Sequence, residues 1–274
     1  MSETLEFTSK EIGLALDEGV ATLTLLQKTM GPDLFADLDR AMEVLERTDA
    51  MRVLIVRGDA KALSYGLDLP KAFGKWGELF RGSATAGPRH QLMRLVKELQ
   101  RPFERLAHLR VPTLCVITGH CIGGGLDLAA ACDIRIASAD AKISLRETRI
   151  AIVADLGSLQ RLPPIIGQGM TRELAFTGRD VSAAEAHQMR LVNHVHESAE
   201  AAFAAAIAMA RQIAANAPRT VEGVKAVLNR QTGQAIAEGL DYVATWNSAF
   251  LASEDLAEAV SAFAGKRTPA FKGR

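Results

Sequence analysis

The sequence GHCIGGGLDL, at residues 119–128, decides the fold of this chain of 274 residues. It follows an apolar run at residues 111–118 and leads into an alanine-rich helical pattern at residues 126–131, an order that predicts strand, glycine turn and helix. Three consecutive glycines allow positive φ angles and a close approach of the backbone to a ligand, and the start of a helix adds partial positive charge. The turn therefore predicts a site for negative charge, either a phosphate or an oxyanion, with the carboxylate of Asp127 close by.

On both sides of this turn, strands and helices follow in a repeated order. Alternating apolar residues around Gly19 predict a hairpin near the start of the chain. Predicted strands lie at residues 12–16, 20–25, 53–56, 111–118, 134–136 and 143–145. Predicted helices lie at residues 34–47, 90–109 and 170–177, with an irregular segment at residues 60–88. Two strands followed by a helix, repeated, indicate successive right-handed turns of an α/β spiral.

The last third of the chain is alanine-rich, and from about residue 183 it is predicted to be helical without further strands. Pro218 and Gly233 are expected to end helices, because proline and glycine interrupt helical patterns. Further helices are predicted at residues 236–251 and 256–263.

This change of composition divides the chain into a core at residues 1–200 and a C-terminal helical region at residues 201–274. The helical region carries large apolar side chains, including Trp246 and Phe250. We expect these faces either to cover the core or to pack on a neighbouring subunit.

Charge and cysteine content exclude several classes of protein. Lys plus Arg equals Asp plus Glu at 32 each, so no overall basic field attracts nucleic acid or an anionic membrane. The three cysteines lack CxxC or metal-ligand spacing, which indicates buried free thiols and no bound metal. The first residues show no basic segment followed by an apolar one, as a signal peptide would, and no apolar run reaches membrane-spanning length. We therefore expect a cytoplasmic protein.

A second loop with an exposed backbone, ALSYGLDL at residues 62–69, follows the strand that ends near Arg57. A single glycine after a strand is usually only a turn. Here both this loop and the glycines at residues 123–125 follow strands of the predicted sheet, so that amide groups from the two loops can converge on one oxygen atom. Such an arrangement stabilises an enolate or a tetrahedral oxyanion.

These motifs resemble the crotonase, or enoyl-CoA hydratase/isomerase, superfamily. The resemblance rests on residues 63–69, 122–128, 131–135, 156–163, 262–267 and 271–272. It implies a crotonase-like spiral of ββα repeats, a C-terminal helical trimerisation region, a homotrimer or a hexamer, and an acyl-CoA thioester as the substrate. No cofactor is implied beyond the coenzyme A of the substrate, and the glycines lack the GxGxxG spacing of a nucleotide-binding oxidoreductase.

The resemblance also implies roles for individual residues. The thioester oxygen would lie between the backbone amides of Leu67 and Gly124. The residues implied in binding the substrate or its coenzyme A are Ala62, Ser64, Gly66, Asp68, Gly123 and Lys266. Tyr65 stands where the family usually has a small residue, and it bears on the length of acyl chain that fits.

Three carboxylates in this region, Asp127, Glu147 and Asp155, carry the prediction of a reaction. A helix cap or an ion pair would explain any one of these carboxylates by itself. Three of them around one glycine turn indicate an active site. Asp155 follows the apolar residues 150–154, where burial should raise its pKa as a general acid requires. The set is similar to that of the Δ3,5-Δ2,4-dienoyl-CoA isomerases, a subgroup of the superfamily, whereas hydratases have glutamate at the position of Asp127.

The chemistry of that subgroup gives a reason for the number of carboxylates. Moving two conjugated double bonds towards a thioester removes a proton from carbon 2 and delivers one to carbon 6. These two carbons are too far apart for a single carboxylate to reach both. Glu147 is predicted to be the base and Asp155 the acid, with Asp127 orienting Glu147 or holding its charge state. Two alternatives remain: a hydratase in which Asp127 and Glu147 act on water, and a non-catalytic acyl-CoA-binding protein. His120 is expected to be packed rather than to act as a base.

Overall fold

The computed structural model of the chain describes residues 5–59, 61–81 and 85–273. The strands are β1 (Ile12–Asp17), β2 (Val20–Leu25), β3 (Val53–Arg57), β4 (Ala62–Ser64), β5 (Thr113–Ile117), β6 (His120–Ile122), β7 (Ile134–Ser138), β8 (Lys142–Ser144), β9 (Asp180–Ser182) and β10 (His194–His196). The helices are α1 (Pro32–Glu46), α2 (Leu69–Phe80), α3 (Ala86–His108), α4 (Gly124–Ala131), α5 (Ser158–Ile166), α6 (Gln168–Thr177), α7 (Ala183–Gln188), α8 (Ala199–Ala214), α9 (Pro218–Phe250) and α10 (Glu254–Ala264). A 3-10 helix spans Glu147–Ile150.

The predicted hairpin is confirmed, and it opens the larger sheet. β1 and β2 are antiparallel, with Ile12 opposite Leu25. The turn between them places Glu18 at φ 48° and Gly19 at φ 83°. Positive φ at both central residues gives a turn whose twist matches that of the strands, so glycine is favoured there.

Two sheets carry the spiral, and the ββα order predicted from the sequence is confirmed. One sheet has the order β1-β2-β3-β5-β7-β10 and the other the order β4-β6-β8-β9. β3, β5 and β7 lie in the first sheet, and each is followed directly by β4, β6 or β8 in the second. Each turn of the spiral therefore adds one strand to each sheet before the chain enters helices. The ends of the second strands, β4 and β6, carry the two loops singled out in the sequence.

Side chains of the larger sheet alternate between two hydrophobic cores. On β3, Leu54 and Val56 belong to the core formed with α1, α3 and α4, and Val53 and Ile55 belong to the core formed with α8. This alternation follows from the period of two in a strand. α8 contributes Ala202, Ala206 and Ala210 at helical spacing, and these small residues let the helix lie close to the sheet.

The segment predicted to be irregular, residues 60–88, contains more structure than expected. It forms β4 and α2, and α3 begins within it at Ala86. The sequence signal for α2 is Asp68, whose side chain accepts a hydrogen bond from the Lys71 amide at 3.1 Å, followed by Pro70 in the first turn. An aspartate N-cap followed by proline favours a helix start. Residues 60 and 82–84 of this segment lie outside the described residues, as do residues 1–4 and 274.

Two expectations for the last third of the chain are wrong. β10 lies beyond residue 183 and pairs in parallel with β7, because the edge of the larger sheet offers it backbone partners. α9 does not stop near Gly233 but continues through it. A glycine inside a helix costs about 1 kcal/mol relative to alanine, which the packing of α9 on α3 offsets.

The helical region covers the core rather than standing apart from it. The predicted boundary between residues 200 and 201 falls inside α8, which packs on the sheet. α9 lies along α3, and its Lys225 is buried and donates to the carbonyl oxygen of Val111 at 2.9 Å. In the part of the chain that is described, no helix is long and apolar enough to cross a membrane. All three cysteines are buried free thiols, as predicted.

Candidate active site

The three predicted carboxylates meet at one cavity of about 500 Å³. Asp127 comes from the first turn of α4, Glu147 from the 3-10 helix and Asp155 from the loop before α5. The rest of the wall is mainly apolar, with side chains from α1, α2, α3 and the C-terminal helices. Leu251 and Phe263 belong to the C-terminal part, so residues 201–274 help to close the cavity.

Glycines bring the two backbone loops into contact beside this cavity. Gly66 has φ 85° and Gly123 has φ 53°, both in the region that favours glycine. A Cβ atom at Gly66 would lie 3.0 Å from the carbonyl oxygen of Ile122, and one at Gly125 would lie 2.9 Å from Cβ of Ser64. The approach of the loops therefore depends on the absence of side chains at these positions.

Two amides at this junction are available for a ligand. The amide of Met30 donates to Gly66 O at 2.8 Å, and Met30 O accepts from the amide of Asp68 at 3.1 Å. Met30 thus pairs in parallel with Gly66 and Asp68, the two residues that flank Leu67. The amide of Leu67 therefore points away from Met30. Gly124 is the first residue of α4, so its amide has no acceptor within the helix. Among the described residues, neither amide donates a backbone hydrogen bond, and both residues line the cavity.

Asp127 is buried, with 1% of its surface exposed. Its Oδ1 accepts a hydrogen bond from the amide of Ser158 at 2.5 Å, which ties α4 to the start of α5. Burial raises the pKa of Asp127 to about 6, although the hydrogen bonds from Ser158 and the charge of Arg161 act in the opposite direction. Among the described residues, Asp127 makes no hydrogen bond to Glu147, so it acts on Glu147 through its charge.

Glu147 lies against the glycine turn, with one carboxyl oxygen unpaired in the described part of the chain. A Cβ atom at Gly123 would lie 3.2 Å from its Oε1, which places this carboxyl group against the glycine turn. Its Oε2 is buried and has no hydrogen-bond partner among the described residues. Burial raises the pKa of Glu147 well above its ordinary value, and the charges of Asp127 and Asp155 raise it further.

Asp155 has the raised pKa that was predicted for a general acid. Burial brings its pKa to about 7, the charge of Asp127 raises it as well, and a hydrogen bond from Asn247 acts against them. Asn247 Nδ2 lies 2.6 Å from Asp155 Oδ2. Gln100 of α3 donates to the backbone oxygen of Asp155 at 2.7 Å. A carboxyl group with this pKa exchanges its proton near neutral pH.

Gln100 and Asn247 were missed in the sequence, since neither lies near a recognised motif. Gln100 lies on α3 and Asn247 on α9, and both are buried polar residues. Asn247 stands between Trp246 and Phe250 in the sequence. An amide side chain within an apolar helical pattern was the available signal, because a buried polar group requires a partner.

The residues implied in substrate binding separate into two groups. Gly66 and Gly123 line the cavity. Ser64 and Asp68 instead hold the loop in place: Ser64 Oγ accepts from the amide of Gly66 at 3.0 Å, and Asp68 accepts from Thr29 Oγ1 at 2.9 Å. Both side chains therefore support the position of the loop.

Ala62 and Lys266 lie away from the cavity wall. Ala62 is buried in β4, and Lys266 is exposed just after α10, with φ 50°. Tyr65 lines the cavity with 42% of its surface exposed, and its ring stacks on that of His120 at a centroid distance of 4.7 Å. His120 is thus packed, as predicted. Within residues 5–59, 61–81 and 85–273, no three His, Cys, Asp or Glu side chains are grouped to hold a metal ion.

Residues 16–274 match the family described as Enoyl-CoA hydratase/isomerase. The chain belongs to this family. Family members named Delta(3,5)-Delta(2,4)-dienoyl-CoA isomerase are among its relatives. The mitochondrial one of Dictyostelium discoideum is 38% identical over 247 residues, which cover 89% of this chain and 83% of that protein. The peroxisomal one of Arabidopsis thaliana is 41% identical over 239 residues, covering 87% and 86%.

A solved structure of the family supports the fold. The enoyl-CoA hydratase from Mycobacterium avium subsp. paratuberculosis K-10 superimposes with a TM-score of 0.82, covering 96% of this chain and 98% of that one at 22% identity. At this identity the likeness shows the fold alone.

The relatives correct one expectation. The prediction of a cytoplasmic protein is wrong, because the names of the two isomerases describe a mitochondrial and a peroxisomal protein. Buried free thiols, on which that prediction partly rested, are not specific to one compartment.

Proposed function

We propose that this enzyme isomerises 3,5-dienoyl-CoA to 2,4-dienoyl-CoA. The observation that carries the proposal is the pair of carboxyl groups at one cavity, Glu147 with an unpaired oxygen and Asp155 with a pKa of about 7. The relatives named as dienoyl-CoA isomerases support the same reaction. A hydratase needs carboxylates at one end of the acyl chain only, and Asp155 would then have no task.

The reaction begins at carbon 2, next to the thioester. The thioester oxygen accepts hydrogen bonds from the amides of Leu67 and Gly124, which strengthen as negative charge develops on it. Glu147 takes the proton from carbon 2, and the electron pair of that C–H bond enters a dienolate. The raised pKa of Glu147 makes its carboxylate a stronger base than an exposed glutamate.

The reaction ends at carbon 6. Asp155 delivers its proton there, and the double bonds move to positions 2 and 4. A pKa of about 7 lets Asp155 hold a proton near neutral pH and release it during the reaction. Asp127 contributes its negative charge, which raises the affinity of both other carboxyl groups for protons.

The apolar walls have two tasks in this scheme. They hold the acyl chain extended, which sets the distance between the two reacting carbons. They also keep water from the dienolate, so that isomerisation is favoured over hydration. Phe35, Trp76 and Leu92 are examples of these side chains.

Binding of the coenzyme and assembly complete the proposal. The backbone at Gly66 and Gly123 lies beside the thioester, and Lys266 offers an exposed cation for the phosphates of coenzyme A. The exposed aromatic residues Tyr242 and Trp246 on α9 support packing on other subunits as a homotrimer or a hexamer.

The growth of ultraviolet absorbance from the 2,4-dienoyl thioester tests the function. Wild-type enzyme should convert 3,5-dienoyl-CoA, and Asp155→Asn should lose this conversion. The same two proteins are then given a 2-enoyl-CoA. Failure to convert the diene, together with hydration of the 2-enoyl-CoA that survives Asp155→Asn, would establish a hydratase instead.

A further inference from the structure

Helix α9 reaches the acid side of the cavity through one polar side chain, that of Asn247. This residue is 1% exposed. Its Nδ2 donates to Val153 O at 2.9 Å and to Asp155 Oδ2 at 2.6 Å. Asn247 thus connects the C-terminal helical region to the carboxyl group that delivers the proton.

These two acceptors determine the orientation of the amide. A backbone carbonyl oxygen only accepts hydrogen bonds, so the atom of Asn247 beside Val153 O must be the NH₂ group. The second hydrogen of the same NH₂ group then points to Oδ2 of Asp155. Asn247 is therefore a donor to this carboxyl group and not an acceptor from it.

We propose that Asn247 is a positioning residue that keeps Oδ2 of Asp155 unprotonated and assigns the exchangeable proton to Oδ1. This inference rests on the proposed isomerase function. A proton on Oδ2 would bring two hydrogens into one short contact with Asn247. The residue's own amide also hydrogen-bonds to this carboxyl group, but Asn247 is the side chain that donates to it, and it donates to Oδ2, so Oδ1 is the oxygen that faces proton transfer.

The transfer balances with this assignment. The Oδ1–H bond of Asp155 breaks, and a C–H bond forms at carbon 6 with an electron pair of the dienolate. Asp155 is left as a carboxylate, and Glu147 holds the proton from carbon 2. Glu147 then releases its proton to water, and Asp155 takes one from water, which restores both groups. Asn247 stabilises the carboxylate formed on Asp155, because a hydrogen bond to a charged acceptor is stronger than one to a neutral acceptor.

The other groups around Asp155 do not take over this task. The negative charge of Asp127 favours the protonated form of Asp155. Gln100 of α3 contacts only the backbone oxygen of Asp155. Arg161 of α5 is paired with Glu104 of α3. Asn247 is the side chain that opposes the effect of burial on this carboxyl group.

The experiment measures the pH dependence of kcat for isomerisation in wild-type enzyme and in Asn247→Leu. The alkaline limb reports loss of the proton from Asp155, and Asp155→Asn, which has no such proton, should be inactive at every pH. Removing the donor should move the alkaline limb upwards by about one pH unit and lower kcat with little change in KM. Asn247→Asp, which keeps the shape of the side chain and loses the amide, should move the limb in the same direction.

Gln100→Leu is the matched control. It removes a buried amide that also donates to the Asp155 loop, at the backbone oxygen rather than at the carboxyl group. We expect it to lower Tm and to leave the alkaline limb in place. A folded Asn247→Leu or Asn247→Asp whose alkaline limb coincides with that of Gln100→Leu would overturn the inference alone. Wild-type enzyme without isomerase activity would overturn the proposed function, and this inference with it.

Discussion

The two ends of the cavity are built by different means. At the thioester end, the backbone forms the site: Gly66 and Gly123 adopt positive φ angles and bring two loops together. At the acid end, side chains form the site, since Asp155 accepts hydrogen bonds from Gln100 of α3 and Asn247 of α9. The difference teaches that two short glycine-containing loops suffice to place donors for a developing charge, whereas tuning the pKa of an acid draws on side chains of helices far apart in the chain.

Replacement of the base, Glu147, should show the largest effect. Glu147→Gln keeps the size of the side chain and removes its ability to take a proton. We expect kcat for isomerisation to fall by about 10³–10⁴-fold, because a positioned base contributes on that order. Steady-state absorbance assays measure the loss, and binding of an acyl-CoA should remain. A variant that keeps a tenth of the wild-type rate would remove Glu147 from the role of base.

The backbone end should be next in sensitivity. Gly123→Ala adds a Cβ atom 3.2 Å from Glu147 Oε1 at a residue with φ 53° and ψ −120°. The turn must shift, and we expect kcat to fall by roughly 10²–10³-fold, as for loss of an oxyanion donor.

Gly233→Ala is its control, since a Cβ atom there would meet nothing within 4 Å. It should keep full activity and gain up to about 1 kcal/mol of stability, because alanine favours a helix over glycine. Equal activity of the two alanine variants would show that the turn does not hold the oxyanion.

The raised pKa of Asp155 should affect the stability of the protein as well as its rate of isomerisation. The pKa of Asp155 rises from 3.8 to about 7 on folding, so between these values the folded chain holds a proton that the unfolded chain has released. This stabilising contribution is complete below pH 3.8 and is lost as the pH rises through about 7. The free energy of unfolding of wild-type enzyme should therefore fall relative to that of Asp155→Asn by about 4 kcal/mol across this range. Urea unfolding at several pH values measures it; parallel curves for the two proteins would contradict the raised pKa.

Asp127 lies between the two ends, and its replacement should have the smallest effect. Asp127→Asn keeps an oxygen to accept from the Ser158 amide and removes only the charge. Without that charge the pKa of Glu147 should fall, since the charge of Asp127 raises it. We expect the acidic limb of the pH–rate profile to move to lower pH, with kcat at its optimum within about tenfold of wild type. Movement of the limb to higher pH would mean that Asp127 does not act through its charge.

The same contrast explains what the sequence could predict. The glycine turn, the second loop and the hairpin were recognisable because each is a local pattern with a local cause, positive φ or alternation. The amides of Leu67 and Gly124 could be placed together because the two loops follow strands of one predicted sheet, and the three carboxylates through the resemblance to the dienoyl-CoA isomerases. Asn247 could not, since its contact with Asp155 joins positions that only the packed helix α9 brings together.

The errors have equally local reasons. α2 was hidden in a segment whose helical signal lies in its cap, Asp68 with the following Pro70, rather than in its periodicity. Gly233 suggested a helix end that packing on α3 overrides. In both cases an interaction outside the apolar pattern decided the structure.

Exchange of hydrogen with solvent tests the central claim, that two carboxyl groups act at the two ends of one dienolate. In D₂O, wild-type enzyme should form 2,4-dienoyl-CoA with deuterium at carbon 6. Asp155→Asn should form no 2,4-dienoyl-CoA yet still exchange the hydrogen at carbon 2 of the substrate, because Glu147 and the amides of Leu67 and Gly124 remain. Glu147→Gln should do neither. Exchange at carbon 2 lost equally in both variants, or product formed by Asp155→Asn at the wild-type rate, would contradict the two-carboxylate account.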